Sequence, residues 1–248
     1  MRSRIFAFIL LSIVATLGLD VPGAANSDPA LGRCVVGRTS APIGFWTWPA
    51  NSQVNIYLRE PDFSASYVSA VRVAVQNWDA AGAESGSNVH FTFHGLTRET
   101  RTAHGDMTIT RGDVYDKKIK HLALLEAHSL RSDQLIDYAL VVVDFRVKNP
   151  DVLTNVMAHE LGHSLGLLDC SECQSKTTAM GLMKTANEAN GIEGPTACDK
   201  IAVQAAYREL ARHVRPAPPA LTLNKPPTDP GEEPEADDAP IIKPPRQD

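Results

Sequence analysis

Apolar and polar positions alternate along this chain with two distinct periods. Val54, Ile56 and Leu58 alternate with Asn55, Tyr57 and Arg59, a period of two that predicts a half-buried strand. Pro61 and Asp62 break it. Behind a candidate cap at Ser64 or Ser66, the residues Tyr67, Val68, Val71, Val75 and Trp78 recur at helical spacing, and Gly82 ends the run. Val89, Phe91 and Phe93 alternate as a second strand, and Met107 and Ile109 mark one face of a third over 106–110. The span 111–135 fits no single period: Ile119, Leu122, Leu125 and Leu130 suit either a helix or a long irregular insertion. Residues 139–147 are rich in β-branched side chains and lack turn residues, as a buried central strand would be. Asn149-Pro150 ends that strand, and Asp151 or Thr154 is placed to cap a helix running through Val156, Met157 and Ala158. From Thr196 or Asp199 a last helical stripe follows, through Ile201, Val203, Ala206, Tyr207, Leu210 and Val214.

The two ends have a different character. Arg2 and Arg4 precede an apolar run from Ile5 to Leu19, and Gly23-Ala24-Ala25 offers a small-residue cleavage site, so 1–25 reads as a signal peptide. The run is short for a membrane span. The product is expected to be secreted, extracellular or periplasmic, with no membrane association once the signal is removed. Residues 26–44 form an N-terminal extension without clear periodicity. Ten of the seventeen prolines fall in 215–248, with seven acidic residues and no aromatic one, a composition that cannot repay its ordering entropy. This tail reads as disordered. The body between them, 45–214, holds enough apolar sequence for one sizeable core, since the 248 residues are 43% hydrophobic and 21% charged. A formal net charge of −5 gives no support for nucleic-acid binding.

The chemistry concentrates in His159-Glu160-Leu161-Gly162-His163-Ser164-Leu165-Gly166-Leu167-Leu168-Asp169. On a helix His159 and His163 lie one turn apart on the same face, where two imidazoles can hold one Zn²⁺. Glu160 stands beside them as a general base for a zinc-activated water. A catalytic zinc needs a third protein ligand. Gly166 allows a left-handed stop after the helix, and the chain can then bring Asp169 back to the metal.

The full pattern, H-E-x-x-H-x-x-G-x-x-D, resembles the metzincin clan of zinc peptidases, whose last position is usually His. Asp at that position resembles the snapalysin-type bacterial variant. Two imidazoles and one carboxylate leave the zinc a net charge of about +1, which implies a weaker pull on the bound water than three histidines exert. The order of helix, strands and zinc-binding helix is also metzincin-like. Asp199 to Tyr207 resembles the closing helix of matrixin domains, with Val203 and Ala206 as departures. The resemblance implies an α+β, zincin-like catalytic domain with a mixed β-sheet, a zinc-binding helix and a small C-terminal subdomain.

It further implies a methionine turn beneath the metal, for which Met180 is the first candidate and Met183 the second. The function implied is a secreted, monomeric zinc endopeptidase acting on a protein or peptide substrate. A zinc-containing binding or adhesion module without turnover is the alternative, against which the presence of Glu160 speaks. Matrixins also carry structural zinc and calcium sites. His104-Gly105-Asp106 matches the zinc element by letter but opens a strand, and His121 and His128 read as surface histidines.

Four cysteines, Cys34, Cys170, Cys173 and Cys198, suit disulfides in an exported chain. Cys170-x-x-Cys173 also fits a redox pair or a second zinc site. Cys198 is placed to join Cys170 or Cys173. Arg33-Cys34 matches half of the matrixin cysteine-switch motif, leaving Cys34 as either a latency cysteine or a disulfide partner.

Overall fold

The computed structural model describes residues 34–213, except 39, 115–120, 130–134, 174–176 and 182–185. The signal peptide and tail read from the sequence lie outside the described residues, as does Met183. In chain order the elements are β1 Ile43–Thr47, β2 Gln53–Arg59, α1 Ala65–Gly82, β3 His90–Thr97, β4 Asp106–Gly112, β5 Ala123–His128, β6 Tyr138–Asp144, α2 Pro150–His163, β7 Leu165–Leu167 and α3 Ala197–His213.

Five strands form one mixed sheet in the order β3-β2-β4-β6-β5. The first four run parallel and β5 is antiparallel on β6. Val54, Ile56 and Leu58 are fully buried, as their alternation requires. The α1 crossover carries the chain from β2 to β3, and its stripe of Val71, Val75 and Trp78 is buried. Next to it lies α2, buried at every position from Val152 to Gly162. Its apolar residues and its polar Thr154, Asn155, His159 and Glu160 are enclosed alike, with α1, β5 and β7 packed against the helix. The indole Nε1 of Trp78 donates to Ala158 O at 2.8 Å, which pins α2 beside its first histidine.

A second, two-stranded sheet pairs β1 with β7 antiparallel, Ile43 opposite Leu167 and Thr47 opposite Leu165. Tyr207 of α3 donates its buried hydroxyl to Trp48 O at 2.9 Å, and burial holds that phenol far above its usual pKa. The chain just before β2 is thereby tied to the last helix.

Four features differ from the sequence reading. Residues 123–128 form a strand, not a helix or an irregular insertion: the open side of β6 supplies a hydrogen-bonding partner, and pairing overrides the helical spacing of Leu122 and Leu125. β6 ends at Asp144, short of Val147, because the Asp144 carboxylate accepts from Arg146 N at 2.8 Å and Val114 N at 3.1 Å and turns the chain. The cap of α2 is Asn149, whose side chain accepts from Asp151 N at 2.8 Å with Pro150 in the first turn; neither Asp151 nor Thr154 caps it. Cys198 is bonded to Cys34, and Cys170 to Cys173. Cys34 is therefore held in a disulfide and is not a latency cysteine, and no cysteine is free among the described residues.

Candidate metal centre

The buried helix α2 sets the site. Its last turn projects His159 and His163 from one face, with ring centroids 4.6 Å apart and planes at 89°. The helix stops at His163, and the chain enters β7 at once. Gly166 has φ +84°, as its left-handed role requires, but it sits inside β7 and not at the helix cap. This short strand, held against β1, returns the chain so that Asp169 faces the histidines. Asp169 Oδ1 lies 3.0 Å from His159 Nε2 and 3.6 Å from His163 Nε2.

The tautomers follow from the other ring nitrogens. His159 Nδ1 donates to Ala179 O at 2.9 Å, and His163 Nδ1 donates to Leu167 O at 2.8 Å. With both Nδ1 hydrogens committed to carbonyls, both Nε2 atoms turn lone pairs toward the Asp169 carboxylate. While both rings are neutral, three acceptors thus converge with no hydrogen between them. Only a cation relieves this, either a proton on a ring or a metal ion. Ligand atoms about 2.0–2.2 Å from a tetrahedral zinc stand roughly 3.3–3.5 Å apart. The observed separations of 3.0 and 3.6 Å bracket that spacing. The donor set, two neutral imidazoles and a carboxylate, fits zinc.

Electrostatics express the same frustration. Burial pushes His159 down, but the hydrogen bond with Asp169, the charges of Glu160 and Asp169 and the Ala179 carbonyl outweigh it and hold the ring above its usual pKa. The hydrogen bond with His159 holds the Asp169 carboxyl below its usual value against burial, aided by the charges of His159, His163 and His121. His121, read as a surface histidine, is therefore near enough to act on the site.

Glu160 is 4% exposed, and its carboxylate lies with the two histidine nitrogens in a group whose ligand atoms fall within 4.8 Å of one another. No second cluster of this kind lies elsewhere among the described residues. His159 is nearly enclosed, whereas the Asp169 side chain is 43% exposed, so the centre opens to solvent on the Asp169 side.

Beneath the helix lies the segment Thr178-Ala179-Met180, all three residues buried. Met180 is packed against Gly162, and its carbonyl accepts from Cys170 N at 2.9 Å. Of the candidate site residues, His159, Glu160, His163 and Asp169 come together directly, and Met180 lies under them. His104 and Asp106 part company: His104 Nδ1 pairs with Asp137 at 3.0 Å, and Asp106 meets Arg101 and Asn55. His128 stacks on Tyr138.

Sequence reasoning missed Thr178 and Asp199. Asp199 is fully buried in the first turn of α3 and accepts from Thr178 Oγ1, from Ala179 N at 2.8 Å and from Thr196 N at 2.9 Å. The spacing Thr196-x-x-Asp199 before an apolar stripe is a helix-start signal that points to this carboxylate.

No protein-family model matches the chain, and no curated protein matches it in sequence. Its fold is similar to that of archaemetzincin from Methanopyrus kandleri, with a TM-score of 0.41 and 12% identity over 67% of this chain and 98% of that one. It is also similar to metalloproteinase-II from Bacteroides fragilis, with a TM-score of 0.38 and 13% identity over 72% of this chain and 60% of that one. Both likenesses are distant.

Proposed function

We propose that this chain is a secreted zinc endopeptidase that hydrolyses peptide bonds in extended protein or peptide substrates. The observation that carries the reading is the convergence of two Nε2 lone pairs and the Asp169 carboxylate, with each Nδ1 hydrogen already committed elsewhere. Held by His159, His163 and Asp169, a zinc ion would polarise the scissile carbonyl and acidify a water. Glu160, next in sequence to the first ligand and nearly enclosed, takes the proton of the attacking water and delivers it to the departing amine. Its burial keeps competing water from the carboxylate.

The outer edge of β5 has no strand partner among the described residues, and β5 flanks α2. An extended substrate adds there as a further strand and lies across the metal side of the helix. Met180 supplies an apolar floor below the ligands. The two disulfides suit an oxidising compartment, in keeping with export. A binding module that uses zinc without turnover has no use for a carboxylate beside the first ligand.

Cleavage of casein or gelatin by the purified protein, abolished by a chelator and restored by Zn²⁺, tests the assignment. Glu160→Gln should retain zinc at one equivalent and lose turnover. Turnover surviving in that variant would sink the role given to Glu160, and zinc binding without cleavage in the unaltered protein would favour the binding module.

A further inference from the structure

Behind His159 the hydrogen bonds do not stop at a carbonyl. His159 Nδ1 donates to Ala179 O at 2.9 Å. That oxygen belongs to the peptide group joining Ala179 to Met180, whose own N–H donates to Thr178 Oγ1 at 3.0 Å. The Thr178 hydroxyl donates in turn to Asp199 Oδ1. Each donor hands its polarity to the next, and the run ends on a fully buried carboxylate. At the start of α3 the same carboxylate also accepts from Thr196 N and Thr196 Oγ1, each at 2.9 Å.

His163 provides the contrast. Its Nδ1 donates to Leu167 O at 2.8 Å, and the N–H of the same peptide group, on Leu168, donates to Pro42 O at 2.8 Å. This second run ends on a neutral carbonyl. The two metal-facing imidazoles are thus supported in unlike ways, one by a buried anion three hydrogen bonds away and one by an uncharged backbone.

We propose that Thr178 and Asp199 are positioning residues of the metal centre, joined through the Ala179–Met180 peptide group in a relay that locks His159 in its Nδ1–H tautomer and makes its Nε2 the stronger metal donor. The proposal rests on the metal-centre reading above. It is the carboxylate–histidine pairing common at zinc ligands, stretched here over a hydroxyl and a peptide unit. Neither residue touches substrate or metal.

The test uses zinc itself, competed against a chromophoric chelator, together with ¹⁵N NMR of the imidazoles in the metal-free protein at alkaline pH. Thr178→Val keeps the shape of the side chain and removes the hydroxyl link. It should weaken zinc binding by about 10- to 100-fold, the range seen when such outer partners are lost. It should also erase the Nδ1–H preference of His159 while leaving His163 unchanged. Thr178→Ser should restore both readouts.

Unchanged affinity and tautomer in Thr178→Val overturn the relay, and so does an equal disturbance of both histidines, which marks general loosening. Should Thr178→Val fail to fold, Asp199→Asn, isosteric and uncharged, decides by the same two readouts. If the unaltered protein binds no zinc, the metal reading falls, while the tautomer measurement still decides the relay.

Discussion

A side-chain carbon placed on Gly162 would lie 2.3 Å from Met180 Sδ, closer than atoms can approach. The sulfur therefore occupies the space that any other residue would need at that turn of α2. Met180 is fully buried, so it has no solvent to swing into. Gly162→Ala should gain about 1 kcal/mol of helix propensity. Against that stands overpacking of about 1–3 kcal/mol, at the upper end because the nearest atom is enclosed. The expected outcome is a net loss, read as a Tm several degrees lower by calorimetry. A raised Tm would mean that Met180 is not seated under the helix.

Gly166 faces a different obstacle. Its φ of +84° disfavours any L side chain, and a carbon there would meet Thr47 Cγ2 at 2.6 Å. Gly166→Ala should destabilise the protein by roughly 2 kcal/mol or more, combining backbone strain with the clash. Because β7 carries the Leu167 carbonyl and leads directly to Asp169, zinc affinity should fall with it. Denaturant melts with and without zinc separate the two effects, and an alanine variant that binds zinc normally would refute the link between them.

Opposed pKa shifts give the metal-free protein a pH signature. His159 lies above its usual 6.5 despite burial, through Asp169, so its stabilising share is complete below about that value and is lost as pH climbs through the folded value. Asp169 lies below its usual 3.8 through the His159 hydrogen bond, so its share is present above about that value and is lost as pH falls through the folded one. The pair thus supports the chelated protein best in mildly acidic solution. The stability margin of the chelated protein over Asp169→Asn should shrink as pH rises above about 6.5 and through the folded value of His159. With zinc present the sense reverses, because protons compete with the metal at low pH. Urea melts across that rise in pH check both signs.

The two disulfides should differ in weight. Cys34–Cys198 closes a loop of 164 residues and Cys170–Cys173 one of three. Chain-entropy reasoning gives about 5 kcal/mol as an upper figure for the long loop and about 2 kcal/mol for the short one. Replacing Cys34 and Cys198 by serine should lower the denaturant midpoint clearly more than replacing Cys170 and Cys173. Equal losses would show that the long loop is already constrained in the unfolded chain.

Local pattern carried much of this architecture. The alternation at Val54, Ile56 and Leu58, the stripe through Trp78 and the apolar run of β6 each depend on near neighbours, and each lies in an element of the expected kind, β6 alone stopping short at Asp144. His159, Glu160 and His163 were legible because one helical turn fixes their spacing. Asp169 required one further step, a Gly able to turn the chain.

What stayed hidden depends on distant partners. β1 and β7 are short, with no period to show, and exist because they find each other across more than a hundred residues. β5 resembles a helix until β6 offers it hydrogen bonds. The pairing of Cys34 with Cys198 follows from the folded chain and not from spacing. Asp199 reads in sequence as a helix-start residue, and Thr178 belongs to no pattern. Their joint position under His159 is a property of packing alone.

The bond between Cys34 and Cys198 has a consequence for how the chain survives proteolysis. Any single nick in the backbone between those cysteines leaves two pieces still joined, so a clipped molecule migrates as fragments only after reduction. The severed ends remain tethered at high local concentration and can hold their places in the sheet. Damage that would dismember an uncrosslinked domain leaves this one assembled.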